Sequence, residues 1–101
     1  MENLKIQCNE HCPVVDFNEF MEQNTCGFPT QVFIDGAKGK ETAFKGASQS
    51  DHYNCLWNMA IEFSDKYLQG KVNGYTQSWY VEEFFKAVGV PIFRNGKIVE
   101  A

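Results

Sequence analysis

The chain holds a single arginine, Arg94, among its nine basic residues, and nowhere do Lys and Arg gather into a run. A nucleic-acid binder needs a basic face to neutralise phosphates, so nucleic acid is not an expected partner. No apolar run approaches the ~20 residues of a membrane-spanning helix, so no membrane association is expected. The segment Met1-Glu2-Asn3-Leu4-Lys5 lacks the basic and apolar regions of a signal peptide, and a cytoplasmic location is the expectation. Cys-x-x-Cys is absent. Neither Gly36-Ala37-Lys38-Gly39 nor Gly70-Lys71-Val72-Asn73-Gly74 has phosphate-loop or dinucleotide spacing. Ser48, Ser50, Ser64 and Ser78 have no histidine in triad context. Enzymatic chemistry therefore has no assembled signature.

What is present is material for a core. Apolar residues make up 44% of 101 residues, with nine Phe, which suits one α+β domain over residues 1–101 rather than a disordered chain. The formal charge of -4 favours a basic protein partner. Four scattered Cys do not make a disulfide scaffold, and in the cytoplasm they stay reduced.

Alternation over 4–7 predicts a short strand. Asp16, with Glu19 three residues on, predicts a capped helix carrying Phe17, Phe20 and Met21 on one face. Thr25 to Pro29 breaks it. Thr30 to Asp35 reads as a strand, Asp35 to Gly39 as a turn and 40–45 as a second strand, a hairpin closed by Gly46. A long helix is predicted over Ser50–Gln69, capped by Ser50 and stopped by a left-handed Gly70. Tyr53, Leu56, Trp57, Ala60, Ile61, Tyr67 and Leu68 form its core stripe. A strand at 71–76 precedes a helix over Trp79–Val88, with Ser78 as cap, Glu82 and Glu83 near its positive end and Gly89 as its stop. Asn95-Gly96 between two apolar runs signals a closing hairpin. The expected architecture is thus β-hairpins packed with about three helices. Residues 17–40 and 81–97 also share a pattern: a Phe-rich helix, Gly-x-Pro, an apolar strand and an x-Gly turn.

Gly27-Phe28-Pro29-Thr30, the following strands, Gly46-Ala47 and the long helix resemble the second half of a thioredoxin-like fold, over residues 26–69. Residues 71–92 resemble, more faintly, the opening of a glutaredoxin, so the halves would be permuted. The resemblance implies that Pro29 shapes a substrate loop. Gln77-Ser78-Trp79-Tyr80 stands where a glutaredoxin carries its nucleophilic Cys, so the usual chemistry is not implied.

Three constellations carry the functional expectations. Cys8-Asn9-Glu10-His11-Cys12 offers a dithiol whose reactivity a helix start or a protonated His11 would raise, with glutathione as the implied reductant. Cys8, Cys12, His52 and Cys55, with His11 and Cys26 as substitutes, have zinc-ligand spacing. Against that, Cys55 adjoins an apolar stripe and reads equally as a small buried hydrophobe. Trp57, Tyr75, Trp79 and Tyr80 exceed what one helix face must bury, and the last three, flanked by Glu82 and Glu83, are typical anchors for a protein partner, or rings that complete the core.

The leading expectation is a small cytoplasmic protein-binding module without a cofactor, an inhibitor or adaptor. In size, acidity and lack of an active site it resembles the small inhibitors phages use against host or defence proteins. The alternatives are a thiol-disulfide oxidoreductase using Cys8 and Cys12, and a zinc-stabilised binding domain.

Overall fold

The computed structural model describes residues 4–25, 27–70, 73–94 and 97–99. The first elements are β1 (Lys5–Ile6), β2 (Val15–Asp16) and α1 (Phe17–Met21). β1 and β2 pair antiparallel, Lys5 opposite Asp16 and Ile6 opposite Val15. Asp16 caps α1 as its spacing suggested, its carboxylate accepting from the Asn18 N–H at 3.0 Å. Glu19 does not reach back to close a capping box; its carboxylate accepts from Lys66 and Tyr67.

A second ladder joins β3 (Asn24–Thr25) to β4 (Phe28–Pro29). The next element corrects the strand expected over 30–35: Thr30–Ala37 is a helix, α2. Val32-Phe33-Ile34 suits a strand by local preference. Yet Thr30, Phe33, Ile34 and Ala37 recur at i, i+3, i+4 and i+7, and all four are buried on one face. The Thr30 hydroxyl donates to the Phe20 carbonyl at 3.0 Å and anchors the helix start. Burial against the neighbouring helix decides the outcome.

Residues 40–45 form an irregular loop rather than a strand, so the hairpin expected over 30–45 is absent. The two strands that the thioredoxin-like resemblance placed there are helix and loop. The matched pattern at 17–40 and 81–97 also diverges, because the first Gly-x-Pro leads into a helix and the second into a strand.

The long helix is α3 (Gln49–Leu68). Its cap is Ser48, not Ser50: Ser48 and Asp51 form a reciprocal capping box. Gln69 is the left-handed C-cap (φ 46°), and Gly70 follows with φ +75°. α2 packs on α3 at close range because Gly36 has no Cβ. One placed there would lie 2.1 Å from the His52 ring.

The fourth helix, α4 (Gly74–Val88), starts five residues earlier than expected. Asn73 caps it, accepting from the Thr76 N–H at 2.8 Å. Ser78 is therefore helical, Glu82 and Glu83 lie mid-helix, and residues 74–76 are not a strand. Gly89 ends the helix with φ +82°. β5 (Ile92–Arg94) and β6 (Lys97–Val99) close the chain antiparallel, as the hairpin signal predicted. Residues 71–72 and the turn Asn95-Gly96 lie outside the described residues.

The fold is thus α+β: among the described residues, four helices and three short antiparallel ladders surround one core. Phe17 stacks on Phe84 with centroids 4.5 Å apart, and Phe20 meets Phe63 and Phe84 at 5.2 and 5.4 Å. Among the described residues no helix is long and apolar enough to cross a membrane.

Candidate functional site

At the amino-terminal end, residues 8–12 turn back on themselves, the Cys12 N–H donating to the Asn9 carbonyl at 3.0 Å. The turn rests on the Tyr80 hydroxyl, which donates to the Pro13 carbonyl at 2.7 Å and accepts from the Cys8 N–H at 3.4 Å. Tyr80 is fully buried. It is a structural strut rather than the partner-facing ring expected from the sequence.

Cys8 is exposed, Cys12 is half-buried, and both are free thiols. Their side chains neighbour each other. Partial desolvation pushes the Cys8 thiol up, and the Cys12 thiol adds to the rise by hydrogen bond and charge. This is opposite to the direction that a helix start or a charged His11 would give. Strand β2 stands between the turn and α1, and His11 is exposed, 3.4 Å from Glu10.

The zinc constellation is not brought together. Among the described residues no group of three or more His, Cys, Asp or Glu is placed to hold a metal. His52 is buried beneath the 40–47 loop. Its Nδ1 donates to the Ser48 carbonyl at 2.9 Å, and its Nε2 lies 3.1 Å from the Thr42 hydroxyl. Because a carbonyl only accepts, Nδ1 must carry a proton, and both ring nitrogens are occupied in holding the loop. Cys55 is exposed on α3, not buried as a small hydrophobe. Cys26 lies outside the described residues. Pro29 pairs with Asn24 and leads directly into α2.

The concave feature that gathers sequence-marked residues is a cleft of about 510 Å³ between α3 and α4. α4 contributes Tyr75, Ser78, Trp79 and Glu82, spaced i, i+3, i+4 and i+7, so one stripe faces the cleft. α3 contributes Tyr53, Asn54 and Trp57, and Ile92 of β5 also lines it. Tyr75 is 86% exposed, whereas Trp57 and Trp79 are half-buried.

Packing beneath the cleft fixes its rings. Trp57 stacks near Tyr53, with centroids 6.0 Å apart, and both stand edge-on to Phe85 at 5.3 and 5.2 Å. Trp79 stands edge-on to buried Tyr80 at 5.3 Å. A side chain held on both flanks loses little rotamer freedom on binding.

Of the five residues expected to bind a partner, Tyr75, Trp79 and Glu82 line this cleft. Tyr80 is in the core, and Glu83 pairs with Lys86 at 3.1 Å. On the α3 wall, Trp57 already counted among the surplus rings of the sequence, whereas Tyr53 and Asn54 were missed, Tyr53 because it fits the core stripe. Its signal is that the stripe carries more ring area than one helix face must bury. The α4 wall becomes legible once Asn73, rather than Ser78, is taken as the cap.

No protein-family model, no curated protein and no solved structure matches this chain.

Proposed function

We propose that this protein is a small cytoplasmic protein-binding module, an inhibitor or adaptor that grips its partner in the cleft between α3 and α4. One observation carries the reading: Tyr75 stands 86% exposed beside two half-buried Trp on facing helix stripes. Trp and Tyr are the residues that most often dominate binding energy at protein interfaces, because they bury large area at small entropic cost. The net charge of -4 favours a basic partner and fast encounter with it.

The thiol-disulfide reading, with glutathione as reductant, draws less support. The nucleophile in such chemistry is the thiolate, and an upward-shifted Cys8 thiol leaves little of it at neutral pH. The zinc reading draws no support from the separate placement of its expected ligands.

The test compares the wild-type chain with Trp79→Ala, Tyr75→Ala and Cys8→Ser. A partner enriched on the wild type is identified, purified and titrated calorimetrically against all four. We expect each aromatic substitution to weaken binding by roughly 10- to 100-fold, as for interface anchors, and Cys8→Ser to leave it unchanged. Loss with Cys8→Ser and retention with both aromatic variants would replace this reading by the dithiol one.

A further inference from the structure

We propose that Cys8 and Cys12 are a modification site: glutathione disulfide oxidises them to an intramolecular disulfide that closes the amino-terminal turn, and glutathione reopens it. The chemistry changes this chain itself, turns over no substrate and stands apart from the cleft.

The turn brings its two ends together before any oxidant acts. They meet on one oxygen: the Tyr80 hydroxyl accepts from the Cys8 N–H at 3.4 Å and donates to the Pro13 carbonyl at 2.7 Å. Within the turn, the Cys12 N–H bonds to the Asn9 carbonyl at 3.0 Å and the His11 N–H to the Asn9 side-chain oxygen at 2.8 Å. The Gln7 side chain donates to the Cys12 carbonyl at 2.9 Å. So folded, the turn sets the two thiols in contact, and the Tyr80 hydroxyl also interacts with that of Cys12. Tyr80 is fully buried on α4, so the support comes from the core. A disulfide needs its two cysteines close together, and a turn held this way loses little further freedom when the bond forms.

Cys8 is exposed, Cys12 is half-buried, and Cys8 takes the first step. Its thiol gives a proton to solvent, and the thiolate attacks one sulfur of glutathione disulfide, expelling a glutathione thiolate. The Cys12 thiolate then attacks the Cys8 sulfur of the mixed disulfide and expels the second glutathione. Two protein thiols are oxidised, one glutathione disulfide is reduced to two glutathiones, and the two protons lost by the protein end on them. The raised Cys8 thiol suits a bond that is made and held. It ionises seldom, so exchange is slow, and a basic thiolate is a poor leaving group once bonded. A turnover catalyst needs the opposite.

The purified chain is equilibrated with mixtures of glutathione and glutathione disulfide, both folded and in urea. It is then quenched with N-ethylmaleimide and mapped by peptide mass. We expect a Cys8–Cys12 link whose equilibrium constant is roughly 10- to 30-fold larger in the folded chain than in urea. By linkage the disulfide stabilises the fold by the same factor, so the oxidised chain should show the higher urea midpoint. Tyr80→Phe keeps the ring and removes the hydroxyl. With its fold checked by circular dichroism, it should lower the folded-state constant roughly 5-fold. Cys12→Ser should stop at the mixed disulfide of Cys8 with glutathione.

Equal constants in the folded chain and in urea would overturn the inference, as would an unchanged constant in Tyr80→Phe. A wild-type chain that stops at the mixed disulfide, with no Cys8–Cys12 link, would do the same. None of these outcomes bears on partner binding, which Trp79→Ala and Tyr75→Ala test separately.

Discussion

Among single side chains, the phenol of Tyr67 shows how a surface contact couples to pH. Its hydroxyl donates to the Glu19 carboxylate at 2.5 Å, and Lys66 reaches the other oxygen at 2.7 Å. The Glu19 hydrogen bond, then lost solvation and the negative charges nearby, push the Tyr67 phenol up to about 12. Glu19 is held below the usual carboxylate range by Lys66 and Tyr67. The signs are opposite. The Tyr67 contribution is fully present below pH 10 and is lost as pH rises from 10 towards 12. The Glu19 contribution is present above the ordinary carboxylate range and is lost on acidification. Subtracting the tyrosinate absorbance titration of Tyr67→Phe from that of the wild type should leave one transition near pH 12, read where the circular dichroism is unchanged. A transition near pH 10 would show that the contact does not persist in solution.

Helices and caps show where local pattern prevails and where packing overrides it. α3 was legible almost throughout, because a long apolar stripe and a polar cap agree. α2 was not. Val32-Phe33-Ile34 satisfies a strand locally, and the buried period of Thr30, Phe33, Ile34 and Ala37 becomes decisive only when α3 supplies the surface it packs on. Gly36 looked like a turn residue but serves close helix approach, which a one-dimensional pattern does not reveal. At α4 the expected cap, Ser78, lies five residues beyond the real one, Asn73, which sat inside an expected strand, and this hid the stripe of Tyr75, Ser78, Trp79 and Glu82. The candidate site was thus half legible: its residue types were evident, but its second wall depended on tertiary contact. The Asn73 cap can be tested through this stripe. Asn73→Ala removes the bond to the Thr76 N–H and should cost about 1 kcal/mol. Because Tyr75 lies in the first turn, fraying there should weaken partner binding more than a cost of that size placed elsewhere, such as Ser48→Ala on α3. Equal effects of the two cap variants on binding would separate the start of α4 from the site.

At the level of the whole molecule, one aromatic core links elements distant in sequence. The radius of gyration, 13.3 Å, is that of a compact domain of this length, which should unfold as one unit. Phe17 and Phe44 give the sharpest comparison. Phe17 is fully buried and touches Phe20, Phe63 and Phe84, so it joins α1, α3 and α4. Phe44 is 38% exposed and covers Phe28, Phe33 and His52 from the loop side. Phe17→Ala removes a full ring from the core and should cost about 3–5 kcal/mol, a large share of the 5–15 kcal/mol typical of a domain. Phe44→Ala should cost about 1 kcal/mol, because water already reaches the ring and the loop can settle over the gap. Urea titrations followed by circular dichroism report the helices, and tryptophan fluorescence reports the cleft. Both signals should shift together in Phe17→Ala, since that core also carries Phe84 and Phe85, on which the cleft rests. Phe44→Ala should move the midpoint only slightly and leave fluorescence in the folded state unchanged. Separate transitions in the two signals would mean that the α3–α4 pair forms without the amino-terminal elements, and Phe17 would then not be the link between them.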